Sequence, residues 1–176
     1  LQNQQSPLKL ISSEMTFVNS SLAKHYGIDD NEPTWHPING VKQIGRGGVL
    51  GFAATLAQQS GASRSSPILR GHWISETLLG EQLPKPPKDV PPLPETPPQG
   101  LTERELTAQH SSDPACSRCH RRIDPFGFAL ESFDPIGRLR TDRDTRAILA
   151  DGTKINGISE LQSYLLNQRG EDPVGG

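Results

Sequence analysis

The stretch Leu83 to Gly100, LPKPPKDVPPLPETPPQG, holds eight prolines in eighteen residues and divides the chain. Proline has no backbone N–H and a fixed φ, so this run enters neither a helix interior nor a central strand. Polyproline II is the regular conformation left to it. The core must therefore be built from what lies on either side. We expect the run to be an ordered strap tying two helical parts together, with Val90 and Leu93 as apolar anchors, rather than a ligand for a proline-recognising domain.

Before the strap, Ser6-Pro7 is suited to open a helix. Leu8, Ile11, Met15, Val18 and Leu22 then recur at three- and four-residue steps, so an amphipathic helix is expected from about 6 to 27, closed by Gly27. A turn-rich stretch leads to Gly45–Gly48. Val49 to Gln59 is Ala-rich and apolar enough for a second helix. Ser66-Pro67 starts a third, with Ile68, Leu69, Trp73 and Leu78 inward and Gly80 as its stop. Gly71 inside that helix costs about 1 kcal/mol relative to Ala.

After the strap, Thr102 and Glu105 form a capping box for a helix to about His110. Asp113-Pro114 opens the next helix, which carries C-S-R-C-H, and Asp124-Pro125 is expected to precede a separate one over Phe128 to Phe133. Arg146–Leu149 and Thr153–Ile155 around Asp151-Gly152 read as a hairpin, and a short helix over 159–166 finishes the chain. The expected fold is mainly α: a helical domain with the Pro-rich strap and a small C-terminal hairpin and helix extension.

Apolar residues are 32% of the chain and aromatics 5%, against 17 glycines and 16 prolines. That is a lean core for 176 residues, and a bound macrocycle would supply apolar surface from within. The net charge of −2, with no basic run, excludes a broadly basic nucleic-acid binder. No stretch has the length and apolarity of a membrane span. The chain starts at Leu1 without a Met, and we read it as a piece of a longer precursor whose targeting signal lies upstream.

The two cysteines, Cys116 and Cys119, stand three positions apart with His120 directly after them. C-x-x-C-H is the haem c attachment pattern: two thiols meet the two vinyl groups at one porphyrin edge, and the next residue turns its imidazole to the iron. A disulfide, a zinc site and a thioredoxin-like dithiol are the alternatives. The zinc site lacks a second close ligand pair, and the dithiol lacks a βαβ setting. One covalently bound haem c is thus expected, with His120 as an iron ligand, and the mainly α helical domain is expected to be c-type cytochrome-like. No Met follows the motif. The distal ligand is left among His110, His25, Met15, His36, His72 and an open position; His110, ten residues before His120, has enough chain to wrap the haem edge. Arg121, Arg122, Arg138 and Arg140 flank the motif, and Arg121 and Arg138 are taken as candidate partners for haem propionates. Asp124, Glu131 and Asp134 could suggest a cation site, but Asp124 and Asp134 are read instead as caps of turns before Pro125 and Pro135.

The run H-S-S-D-P-A-C-S-R-C-H-R-R-I-D-P-F-G-F-A-L-E-S-F-D-P-I-G-R, His110 to Arg138, resembles the cytochrome c-like domain near the C-terminus of large planctomycete-type multidomain proteins. Phe17 to Ile28, Arg46 to Leu50 and Ser66 to Gly80 agree with the same family; Ile123, where Met is frequent, departs from it. His110 matches a His of the family pattern. The resemblance implies a haem and export from the cytoplasm. It also implies that residues 1–40 are the helical tail of a preceding domain, 41–140 the haem domain and 141–176 a small C-terminal extension. The expected function is single-electron transfer in a periplasmic or otherwise extracytoplasmic protein. Its partner would be a redox protein or another domain of the same parent. A haem enzyme with an open sixth position, binding peroxide, oxygen or substrate, is the alternative.

Overall fold

The computed structural model describes residues 6–84, 93–94 and 100–170. Most of the strap, Val90 included, lies outside the described residues. The fold is mainly helical, with two small antiparallel sheets, as expected. The long N-terminal helix is not formed. The chain makes α1 (Lys9–Ser12), β1 (Thr16–Val18) and α2 (Ser20–Tyr26) instead. Ser13 Oγ accepts the Met15 N–H at 3.1 Å and turns the chain out of the helix. Thr16-Phe17-Val18, β-branched and aromatic, then pairs antiparallel with β2 (His36–Ile38). Asn19 caps α2 by accepting the Leu22 N–H at 3.0 Å, and Gly27 closes it at φ 74° as expected. Short local bonds thus outcompete the period that the apolar residues suggest.

The helix expected over Val49–Gln59 is also split. A 3₁₀ turn, Val49–Gly51, is followed by extended Phe52 and α3 (Ala53–Gln58). Arg46 explains the break. Its side chain is buried, lies over the Tyr26 ring at 3.9 Å, and donates to the Gly51 carbonyl at 3.0 Å and the Gly137 carbonyl at 2.7 Å. The Tyr26 hydroxyl accepts the Ala53 N–H at 3.1 Å, satisfying a donor in the first turn of α3.

Next comes α4 (Pro67–Trp73), with Ser66 as N-cap, running into a π turn over Ile74–Leu78. Its inward face is Pro67, Arg70, Gly71 and Ile74, whereas Leu69, expected inside, is 45% exposed. The capping box of Thr102 and Glu105 opens α5 (Glu103–His110). Helix α6 (Pro114–Phe128) carries the CSRCH run and continues through Pro125, so the separate helix over 128–133 is replaced by turns. The hairpin β3 (Arg146–Ile148) and β4 (Lys154–Asn156) and helix α7 (Gly157–Gly170) complete the chain. One core cluster joins Ile11, Leu50, Ile74, Phe126, Leu130, Phe133, Ile155 and Leu161, so the chain ends pack into the same interior as α4 and α6.

Two glycines set how α4 and α6 cross. A Cβ on Gly71 would lie 1.9 Å from the Ile123 carbonyl oxygen, and one on Gly127 would lie 1.9 Å from the Pro67 carbonyl oxygen. The backbones meet with no side chain between them. Gly71, a weak helix former read from sequence, is required by this contact. Arg70, 1% exposed, then clamps the chain after α6 by donating to the carbonyls of Leu130 (2.8 Å), Phe133 (2.9 Å) and Asp134 (2.8 Å). Burial lowers its pKa to about 10, which leaves it charged at neutral pH. Gly127→Ala is expected to destabilise the fold by about 2–3 kcal/mol in urea titration, because overpacking outweighs the gain in helix propensity. A stabilised variant would contradict the close crossing.

Candidate functional site

The first turn of α6 is set by Asp113, whose carbonyl accepts the N–H groups of Cys116 and Ser117, both at 2.9 Å. Pro114 sits at the start, where a missing N–H costs nothing. Cys116, Cys119 and His120 stand at i, i+3 and i+4 and therefore share one helix face. Both thiols are partly exposed and free. His120 is buried. Its Nδ1 lies 2.9 Å and 3.0 Å from the two carboxylate oxygens of Asp124, one turn further along. With Nδ1 donating to that carboxylate, Nε2 is left as the nitrogen able to bind a metal.

Asp124 was expected to cap a turn before Pro125. It stands inside α6 instead, only 5% exposed, and its pKa is raised by burial, a shift that His120 and His110 oppose. Sequence reading missed this role, although the His-x-x-x-Asp spacing on one helix was the available sign. Asp134 does match its expected role: Oδ1 accepts the N–H groups of Ile136 and Arg138 at 3.0 and 2.8 Å. Glu131 is a buried partner of Arg140, with Nη2 to Oε2 at 3.0 Å.

His110 ends α5 beside this face. Its ring centroid lies 5.2 Å from that of His120, with the planes at 76°. Burial, and then the nearby His120 charge, lower its pKa, which favours the neutral imidazole that binds metals. The other distal candidates are engaged or placed elsewhere. His25 Nε2 meets the Ile136 carbonyl at 2.8 Å, His36 contacts Asp30 at 2.8 Å, and His72 contacts Glu76 at 3.4 Å. Met15 is 42% exposed in the turn before β1. Of the flanking arginines, Arg122 pairs with Glu81 at 3.0 Å, and Arg121 and Arg138 are exposed. Among the described residues, no three His, Cys, Asp or Glu side chains converge as a metal-ligand set.

A family model named PSCyt3, described as a protein of unknown function (DUF1588), matches residues 46–143, more than half of the chain. The chain belongs to the PSCyt3 family. That designation fits the planctomycete cytochrome-like type that the sequence resembles. The PSCyt3 segment begins at the buried Arg46 and takes in α3 to α6, and with them Cys116, Cys119, His120, Asp124 and His110. No curated protein and no solved structure matches the chain.

The capping box that fixes α5 in the PSCyt3 segment has Thr102 Oγ1 accepting the Glu105 N–H at 3.2 Å, and Glu105 Oε2 accepting the Thr102 N–H at 2.8 Å. Thr102→Ala should lower stability by about 1 kcal/mol in chemical denaturation. An unchanged midpoint would show that the box does not anchor the helix bearing His110.

Proposed function

We propose that this chain is a c-type cytochrome module for single-electron transfer. In this reading Cys116 and Cys119 hold one haem through thioether bonds and His120 Nε2 ligates its iron. The observation that carries the reading is the shared face of α6: two free thiols and a buried imidazole whose other nitrogen is already committed to Asp124. The donor set fits the group. The spacing suits attachment at one macrocycle edge, and a ligating His commonly donates its second N–H to a carboxylate. A bound haem supplies reversible one-electron exchange at its iron.

His110 would supply the second ligand to the iron, on the strength of its nearness to His120 and its favoured neutral form. Arg121 and Arg138, both exposed, are proposed to meet the propionates. Residues 41–140 would form the haem domain. Residues 1–40, a tail of a preceding domain, and 141–176, a C-terminal extension, would complete its core through Ile11 and Leu161. No described helix is long and apolar enough to cross a membrane. Because haem c is attached outside the bacterial cytoplasm, we place the holoprotein in the periplasm or another extracytoplasmic space. The partner is proposed to be a redox protein or another domain of the same parent.

Purified holoprotein should show a six-coordinate low-spin spectrum, and its haem should stay with the chain on a denaturing gel. Cys116→Ala should keep one thioether link and lose stability, and replacement of both cysteines should give apoprotein. Haem that runs free of the wild-type chain would refute the attachment. His110→Ala should give a high-spin spectrum and open the iron to carbon monoxide. A wild-type protein already high-spin and reactive with peroxide would instead favour the enzyme with an open sixth position.

A further inference from the structure

We infer that Asp124 is the positioning residue for His120: its carboxylate fixes which ring nitrogen faces the iron and holds a bound haem at a lower reduction potential than a neutral acceptor would. The inference rests on the haem reading above and deepens it. The contact is close to symmetric, with Nδ1 at 2.9 and 3.0 Å from the two carboxylate oxygens. Both side chains are buried.

A helix-stabilising i,i+4 pair does not account for this placement. Such pairs return a few tenths of a kcal/mol on a helix surface, whereas taking a carboxylate out of water costs several times more unless a charge compensates it. The side chains that bear electrostatically on Asp124 are the imidazoles of His120 and His110. Arg122 is turned to Glu81, and Arg140 to Glu131. A cation bound at His120 Nε2 supplies the missing compensation.

The backbone keeps the pair in place. Asp124 is flanked by Ile123, whose carbonyl meets Gly71, and lies three residues before Gly127, which meets Pro67. The crossing with α4 therefore holds the turn of α6 that carries the carboxylate, and the carboxylate holds the ring.

Were a haem bound here, the electron supplied by the redox partner would leave the site with one positive charge fewer. Whichever of Nδ1 and the carboxylate carries the shared proton, the pair contributes one negative charge once Nε2 is bound. That charge favours the oxidised iron, and low polarity around it strengthens the effect.

The test is a spectroelectrochemical titration of holoprotein, wild type against Asp124→Asn and Asp124→Glu. Asn preserves shape and removes the charge. It should raise the potential by at least tenfold in the one-electron equilibrium constant, about 59 mV, with the haem still covalent. Glu, which keeps the charge, should stay nearer the wild type than Asn does. An Asn variant with covalent haem and an unmoved potential overturns the inference while leaving the haem reading intact. Should Asn fail to fold, a Glu variant with its potential raised by that tenfold overturns it equally. A wild-type chain without covalent haem would remove both.

Discussion

The crossing of α4 and α6 at Gly71 and Gly127 is the contact on which the rest of the structure depends. Two helix backbones touch, carbonyl against Cα, at both points. The approach leaves no room for adjustment: a methyl group at either position would overlap a carbonyl oxygen. Such a contact gains little apolar burial of its own, but it fixes α6 in translation and rotation. The face bearing Cys116, Cys119 and His120 follows from that placement, as does the burial of Asp124 beneath His120. Pro125 lies in sequence between the two contact points, Ile123 and Gly127, and does not end the helix, because packing against α4 outweighs the missing hydrogen bond.

A chain this rich in glycine and proline has much irregular backbone to satisfy, and buried arginines do much of that work. Arg70 collects three carbonyls from the turns after α6 and the Ser60 hydroxyl. Arg46 bridges two loops 86 positions apart, at Gly51 and Gly137, while resting on Tyr26. Gln162 does the same on a smaller scale, donating to the carbonyls of Ile11 and Gly47 at 2.8 and 2.7 Å. Each guanidinium loses hydration on burial and recovers it through several charge-assisted bonds at once. The lean apolar core is thus supplemented by polar clamps as well as by the surface a haem would contribute.

Elements with a local signature were legible in the sequence. The Thr102–Glu105 box, the Ser66-Pro67 start, the Gly27 stop and the turn at Asp151-Gly152 were all readable, because each depends on residues within a few positions. The failures share one cause, which is distant partners. β1 exists because His36–Ile38 returns to pair with it, and Arg70 faces inward because carbonyls sixty residues later await it. The thiol and imidazole spacing of the site was equally local and equally readable. Asp124 was not, since Asp-Pro ordinarily marks a turn, and only the continued helix makes it the partner of His120.

Every role proposed for Cys116, Cys119, His120 and Asp124 depends on whether the face of α6 carries a covalent macrocycle. Peptide mass mapping of the mature protein from a host competent for haem c assembly addresses that most directly. The fragment containing Cys116, Cys119 and His120 should carry the mass of one haem, attached at both cysteines and stable to reduction. The same fragment recovered with two free thiols, or with a disulfide that reduction opens, would contradict the central claim.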